Sequence, residues 1–182
     1  MSDPTAIYSS AGVSYGKQGL NLKLAFAMPS EDRLDYMGAI EAKEDFDIYR
    51  VRLFAGESGK GFYLDTNHDT SKNITHVSGG GLMTIPVHER FTLFPAVMVG
   101  HMNGKHIEST MTFTAMTYTR LTLDNGWWLN FNPIYTVSLD NSSISDLSME
   151  VFASKQITPT FNARLKFDSS NDNLSFELNK AF

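Results

Sequence analysis

Trp127-Trp128-Leu129-Asn130-Phe131-Asn132-Pro133-Ile134-Tyr135-Thr136-Val137-Ser138-Leu139 is the stretch whose period decides the fold. Its odd positions, Trp127, Leu129, Phe131, Pro133, Tyr135, Val137 and Leu139, are apolar or aromatic, whereas its even positions are mostly amides and hydroxyls. In an extended chain successive side chains point to opposite faces, so this segment is a strand with one oily side and one polar side.

The same division spreads outward from it. Leu20, Leu22, Leu24, Phe26 and Met28 alternate with Asn21, Lys23, Ala25 and Ala27; Phe161, Ala163, Leu165 and Phe167 alternate with Asn162, Arg164 and Lys166. Leu174, Phe176 and Leu178 alternate with Ser175 and Glu177, and Tyr49, Val51 and Leu53 with Arg50 and Arg52. Further segments run over 7–15, 76–87, 91–102, 110–123 and 147–154. Turn-forming clusters separate them: Gly16-Lys17-Gln18-Gly19, Gly56-Glu57-Ser58-Gly59, His88-Glu89-Arg90, Asp124-Asn125-Gly126, and the polar runs 140–145 and 168–173. With two weaker strands at 34–42 and 60–66 the count is about twelve; if those two are loops it is ten. Both are even numbers, as single-chain bacterial barrels require, and the long segments approach the roughly 9–11 residues that cross a bilayer as a strand.

A soluble antiparallel barrel or sandwich also alternates, so the period alone does not name the solvent. The chemistry of the faces does. One face of nearly every strand is uniformly Leu, Val, Phe, Ala or Met, and the other mixes Ser, Thr, Asn and Gly with scattered charges. That is the inversion expected of a wall surrounded by lipid, apolar outside and polar within. Phe91, Trp127 and Phe161 each open a strand just after a short turn and Phe182 ends the chain. Strands threaded alternately up and down bring these four to one rim, as an interfacial aromatic girdle. No uncharged apolar run approaches the roughly 20 residues of a membrane helix, so any crossing is made by strands. Pro95 and Pro133 fall inside proposed strands, where each removes a ladder donor, and they are expected at irregularities of the sheet.

The chain ends Leu174-Ser175-Phe176-Glu177-Leu178-Asn179-Lys180-Ala181-Phe182, alternating hydrophobics closed by a terminal Phe. In this it resembles bacterial outer-membrane β-barrel proteins, with Lys180 standing where that class usually has an apolar residue or Tyr. The run from Gly79-Gly80-Gly81-Leu82 to Pro86, and Phe94-Pro95 to Gly100 after the next turn, is similar to a mid-barrel hairpin of small members of the class. The resemblance implies an antiparallel transmembrane β-barrel in one domain over residues 1–182, in the outer membrane of a Gram-negative bacterium, with lipid and lipopolysaccharide as its surroundings. Met1-Ser2-Asp3-Pro4 lacks the basic and apolar regions of an export signal, so an exported chain is expected here as a mature form carrying an added Met1.

Composition closes off several chemistries. There is no cysteine, hence no disulfide or thiolate site, and 15 basic against 20 acidic residues leave a net charge of −5, which speaks against a nucleic-acid partner. On the polar face, however, Lys23, Arg50, Arg52, Arg120, Arg164 and Lys166 outnumber Glu150 and Glu177, a surplus of four cations. This suggests a basic constriction favouring small anionic solutes. The alternative is a closed structural barrel in which Glu150, Arg164 and Glu177 neutralise one another across the strands while Tyr8, Phe54, Phe94, Met98, Tyr118, Trp128 and Phe152 fill the lumen.

Two other readings remain. His76 and Ser78 lie on one strand face, the minimum for an activated hydroxyl in a lipid-modifying esterase or deacylase, though no carboxylate to orient the imidazole is identifiable. A soluble ligand-binding β-barrel would need its apolar faces turned inward. His101, His106 and Glu108 lie near one another, as do His68 and Asp69, yet neither set has a metal-ligand spacing, so neither metal nor cofactor is expected.

Overall fold

The structure, a computed structural model, describes residues 8–28, 34–57, 59–105, 107–140 and 144–182. Alternation gives strands, and the strands follow one another round a ring. They are β1 (Ser10–Gly16), β2 (Gly19–Met28), β3 (Asp35–Lys43), β4 (Ile48–Glu57), β5 (Lys60–Asp69), β6 (Ile74–Met83), β7 (Ile85–His88), β8 (Phe91–Gly104), β9 (Ile107–Thr122), β10 (Trp127–Ser138), β11 (Ser145–Thr158), β12 (Phe161–Asp168) and β13 (Asn173–Ala181). Each pairs antiparallel with its neighbours, β1 pairs with β13, and β6 pairs with β8. Those last two pairings close the wall, so twelve strands form a barrel and the four-residue β7 is an addition paired only with the start of β8.

The twelve expected strands are therefore present, with shifted ends. Residue 7, placed at the head of the first strand, lies outside the described residues. β5 runs on to Asp69, β8 to Gly104, and β9 starts at Ile107. The connections from β5 to β6 and from β8 to β9 are thus short hairpin turns. The sheet extends because backbone groups must find partners wherever water is scarce, and sequence alternation fades at the wet rim before pairing does.

The faces are disposed as a membrane wall requires. Leu22, Phe131, Leu165 and Phe176 point outward, 40 to 52% exposed, while Asn130, Asn162 and Ser154, at positions of the opposite parity on β10, β12 and β11, are buried inside. This is the reverse of what the soluble-barrel alternative needs. Phe91, Trp127 and Phe161 are the first residues of β8, β10 and β12, at the end of the barrel where Phe182 stands. There Lys155 lies 5.2 Å over the Trp127 ring and donates to the Asn125 carbonyl. Asn125 and Gly126 take φ of 56° and 74°, left-handed values that Asn and Gly tolerate, and this makes the sharp turn into β10.

Both strand prolines coincide with breaks in pairing. Pro95 faces Thr117 of β9 on one side; on the other, β6 pairing ends at Leu82–Ala96 and resumes in β7 at Ile85–Leu93, leaving Pro95 beside the interruption at Thr84. The Thr84 N–H turns instead to the Gly59 carbonyl, 2.6 Å away. Pro133 lies mid-wall. Register between β9 and β10 holds at Leu129–Leu121 and again at Ile134–Met116, but no ladder pairs join 130–133 to 117–120. Side chains enter the gap: Asn132 Oδ1 accepts the Thr119 N–H at 3.0 Å, Asn130 Nδ2 donates to the Thr119 carbonyl, and the Phe131 N–H donates to Thr119 Oγ1 at 2.8 Å. Such replacement is what a bilayer demands, since an unpaired backbone group there has no water to turn to.

One side of the lumen is filled with apolar bulk. Phe54, Tyr63, Leu82, Phe94, Ala96, Met98 and Met116 form a buried cluster with Tyr118 and Ile134 against it. Glycines let rings cross the wall: Phe62 lies against Gly79 on the outside, and inside His76 passes over Gly100 to reach Thr112 Oγ1 at 2.9 Å.

Candidate channel interior

The apolar cluster occupies the lumen along β4 to β10, and a cavity of about 180 Å³ takes the remainder, lined from β1–β5 and β9–β13 with nothing from β6, β7 or β8. Its floor is Met37, Ala25, Phe54, Tyr63 and Phe152; its upper part carries the charges.

On the wall made by β2 to β5, Lys23 stands opposite Glu41 in register, Glu41 opposite Arg50, and Arg52 opposite Asp65. The ion pairs run diagonally through this array. Arg52 meets Glu41, which also lies 3.7 Å from Lys23, and Arg50 forks onto Asp65, with its Nε 2.9 Å from Oδ1. A planar guanidinium fits a carboxylate in this two-point manner, which holds both side chains to the wall.

The opposing wall repeats the theme. Arg164 of β12 stands opposite Glu177 of β13 with 3.8 Å between charged atoms, and Lys166 bridges Glu150 and Asp168, 3.3 Å from the latter. Phe152 sits below, its ring centre 5.3 Å from the Arg164 guanidinium carbon and 5.4 Å from the Lys166 ammonium.

Seven of the eight charges expected in the lumen, Lys23, Arg50, Arg52, Glu150, Arg164, Lys166 and Glu177, line this cavity. Arg120 does not: it faces inward from the lower part of β9, where its Nε is buried without a hydrogen-bond partner. Three carboxylates and one cation escaped the reading of the sequence. Asp168 lay at a strand end read as a turn, Lys43 one residue past the weak segment 34–42, and Glu41 and Asp65 inside the weak segments 34–42 and 60–66. Placing Tyr36, Ile40 and Ala42 on the outer face would have sent Glu41 and Lys43 inward. With Glu41, Lys43 and Asp168 added, six cations and four carboxylates line the cavity, a surplus of two rather than four; Asp65 is not part of the lining and stands behind it, paired with Arg50.

The outer mouth is narrowed by turns that grip one another. Asn171, in the turn between β12 and β13, donates from Nδ2 to Glu44 Oε1 of the β3–β4 turn at 2.7 Å, passing over the shorter β1–β2 hairpin. Glu44, Asp45 and Phe46 all have positive φ, of 54°, 54° and 75°. Asp45 Oδ1 accepts the Leu20 N–H at 2.8 Å, and Glu44 donates its N–H to Asn21 Oδ1 at 2.8 Å. Beyond the wall, the Lys17 ammonium donates to Asp172 at 2.7 Å and holds that carboxyl below its usual range.

His76 and Ser78 both face inward but are engaged separately. His76 bonds Thr112, whereas the Ser78 hydroxyl reaches the Asp65 carbonyl at 3.5 Å and the Met98 sulfur at 3.7 Å. Among the described residues no group of three or more His, Asp or Glu side chains is arranged to hold a metal; His106 lies outside them. His101 reaches Ser109 at 2.6 Å and His68 reaches Thr75 at 2.9 Å.

No family model matches the sequence, and no curated protein matches it either. Solved structures match it in fold. The NanC porin shares a TM-score of 0.65 at 8% identity, over 97% of this chain and 99% of that one. The KdgM porin, solved in complex with disordered oligogalacturonate, gives 0.64 at 7% identity over 97% and 98%. An outer-membrane channel from Pseudomonas putida F1 gives 0.61 at 11% identity over 99% and 97%. The fold is that of outer-membrane β-barrel porins and channels.

Proposed function

We propose that this chain is a bacterial outer-membrane channel of narrow bore, passing small solutes with a preference for anions. The observation that carries the reading is the charge-lined cavity of about 180 Å³ inside a closed barrel whose outer face is apolar. A barrel kept only as scaffold gains nothing from burying ten charged side chains, because each must be stripped of water and re-paired. Along a solute path the same groups replace the hydration of an ion as it moves, which is how rings of Lys and Arg favour anions in pores. The surplus of two cations supports anion preference, and the KdgM porin's oligogalacturonate is an anionic ligand on a related architecture. Bilayer lipid and, on the outer leaflet, lipopolysaccharide are its surroundings.

The carboxylates set how a solute moves. With Glu41 shared by Lys23 and Arg52, and Lys166 shared by Glu150 and Asp168, an entering anion competes for cations already partly satisfied. It is held weakly at each, and weak binding permits release to the next.

The closed structural barrel is the second reading, favoured by the apolar cluster around Phe94 and by the ion pairing itself. Single-channel recording in planar bilayers separates the two. Discrete conductance steps, with a reversal potential displaced toward that of the anion in a salt gradient, are expected; a folded preparation that yields no events overturns the channel.

A further inference from the structure

We infer that the outer end of the cavity is a docking site for a small hydroxycarboxylate, whose carboxylate is held by Lys43 and one of whose hydroxyls is held by Asn171. The inference rests on reading the cavity as a solute path and names where on that path a solute pauses.

Lys43 is the last residue of β3, opposite Asn21 in the extrapolated register, and it lines the cavity. The other five cations of the lining each have a carboxylate within ion-pair distance. Lys43 has no ion pair or hydrogen bond to any described residue. Arg50 of the neighbouring strand and Lys166 of the opposite wall line the same cavity. Ammonium groups that face one cavity from β3 and β12, one of them without an ion-pair partner among the described residues, make a local positive potential that an anion relieves. Lys166 already has Glu150 and Asp168, so Lys43 is the cation free to take an incoming carboxylate.

Asn171 adds a second requirement. A carboxylate only accepts, so the contact with Glu44 fixes the Asn171 side chain with its NH₂ toward Glu44 and its oxygen away. That oxygen, Oδ1, is buried and has no hydrogen-bond partner, on a residue that lines the same cavity as Lys43. A buried acceptor without a donor is costly, and a bare carboxylate has none to offer. A molecule bearing both a carboxylate and a hydroxyl satisfies the ammonium and the amide together.

Isothermal titration of the protein refolded in detergent micelles, at low ionic strength, tests this with three probes: gluconate, acetate and glucose. Wild-type protein is expected to bind gluconate more tightly than acetate and glucose not at all. K43Q is expected to lose at least about tenfold in gluconate affinity, K43R to stay within about threefold, and N171A to erase the preference for gluconate over acetate. Gluconate bound equally by wild type and K43Q, equal affinities for gluconate and acetate in wild type, or no gluconate binding by wild type each overturns the site. Heat-modifiable mobility on gels confirms that each variant is folded; should K43Q not fold, the loss of preference in N171A decides alone. Titration needs no current, so silent bilayers would refute the channel and leave this result standing on its own.

Discussion

Asn132 places its side-chain carbonyl between β9 and β10, 3.0 Å from the backbone N–H of Thr119, where a strand neighbour would ordinarily supply the acceptor. Pro133 follows it, so the ladder lacks a donor at the point where the amide side chains enter. Asn132→Val leaves a bilayer-depth N–H unpaired and is expected to cost about 1–3 kcal/mol in urea unfolding of the barrel from lipid vesicles. Pro133→Val, which restores a donor, is expected to be neutral or stabilising. Equal midpoints for wild type and Asn132→Val would refute the bridging role.

The seam should also be the place where the wall opens first. Hydrogen exchange over 117–120 and 130–133 is expected to outpace that of the laddered residues 113–116, because side-chain bridges replace a cooperative ladder there. Uniform protection along β9 would contradict it.

Glu41 neutralises two cations at once. Glu41→Gln leaves Arg52 and Lys23 without it and raises the cavity surplus from two cations to three. Removing one partner of a buried pair costs about 3 kcal/mol, and the same change is expected to move the reversal potential further toward the anion. An unchanged or cation-shifted potential would show that Glu41 does not face the conducting path.

Leu165 faces lipid from the middle of β12, whereas Arg164 beside it faces the lumen. Leu165→Arg is expected to cost about 2–4 kcal/mol in a vesicle folding equilibrium, the penalty of a cation near the bilayer midplane. Were water outside that face, the substitution would be nearly silent.

Gly100 gives His76 room to cross β8; a Cβ there would stand 2.8 Å from Ser78 Cβ and 2.9 Å from His76 Nε2. Gly100→Val is expected to displace the imidazole from Thr112 and to cost about 1–3 kcal/mol by overpacking. Chemical shifts of the His76 ring in wild type and variant report the displacement directly.

The architecture was legible in the sequence because a membrane wall enforces period two with few exceptions. Leu22, Phe131, Leu165 and Phe176 could be assigned to lipid from spacing alone, and the inward aromatics Phe54, Phe94 and Phe152 followed from the same parity. What parity does not encode is partnership. Arg164 and Glu177 could be matched because their strands are consecutive and well marked, but Arg52 meets Glu41 and Arg50 meets Asp65 along diagonals that depend on stagger between strands. Lys43 and Asp168 sit at strand ends, where pairing outlasts the hydrophobic pattern. The contact between Asn171 and Glu44 joins residues 127 apart through two turns, and nothing local announces it.

The cluster around Phe94 has a further consequence. Twelve strands fix the circumference of the wall, yet the aperture is what remains after Phe54, Tyr63, Leu82 and Met98 have taken their share of the cross-section. The opening is therefore eccentric, displaced toward the β1 and β13 side and away from β6 and β8. Its bore is set by how far those packed side chains reach across the barrel, so trimming one of them widens the passage without altering the number of strands.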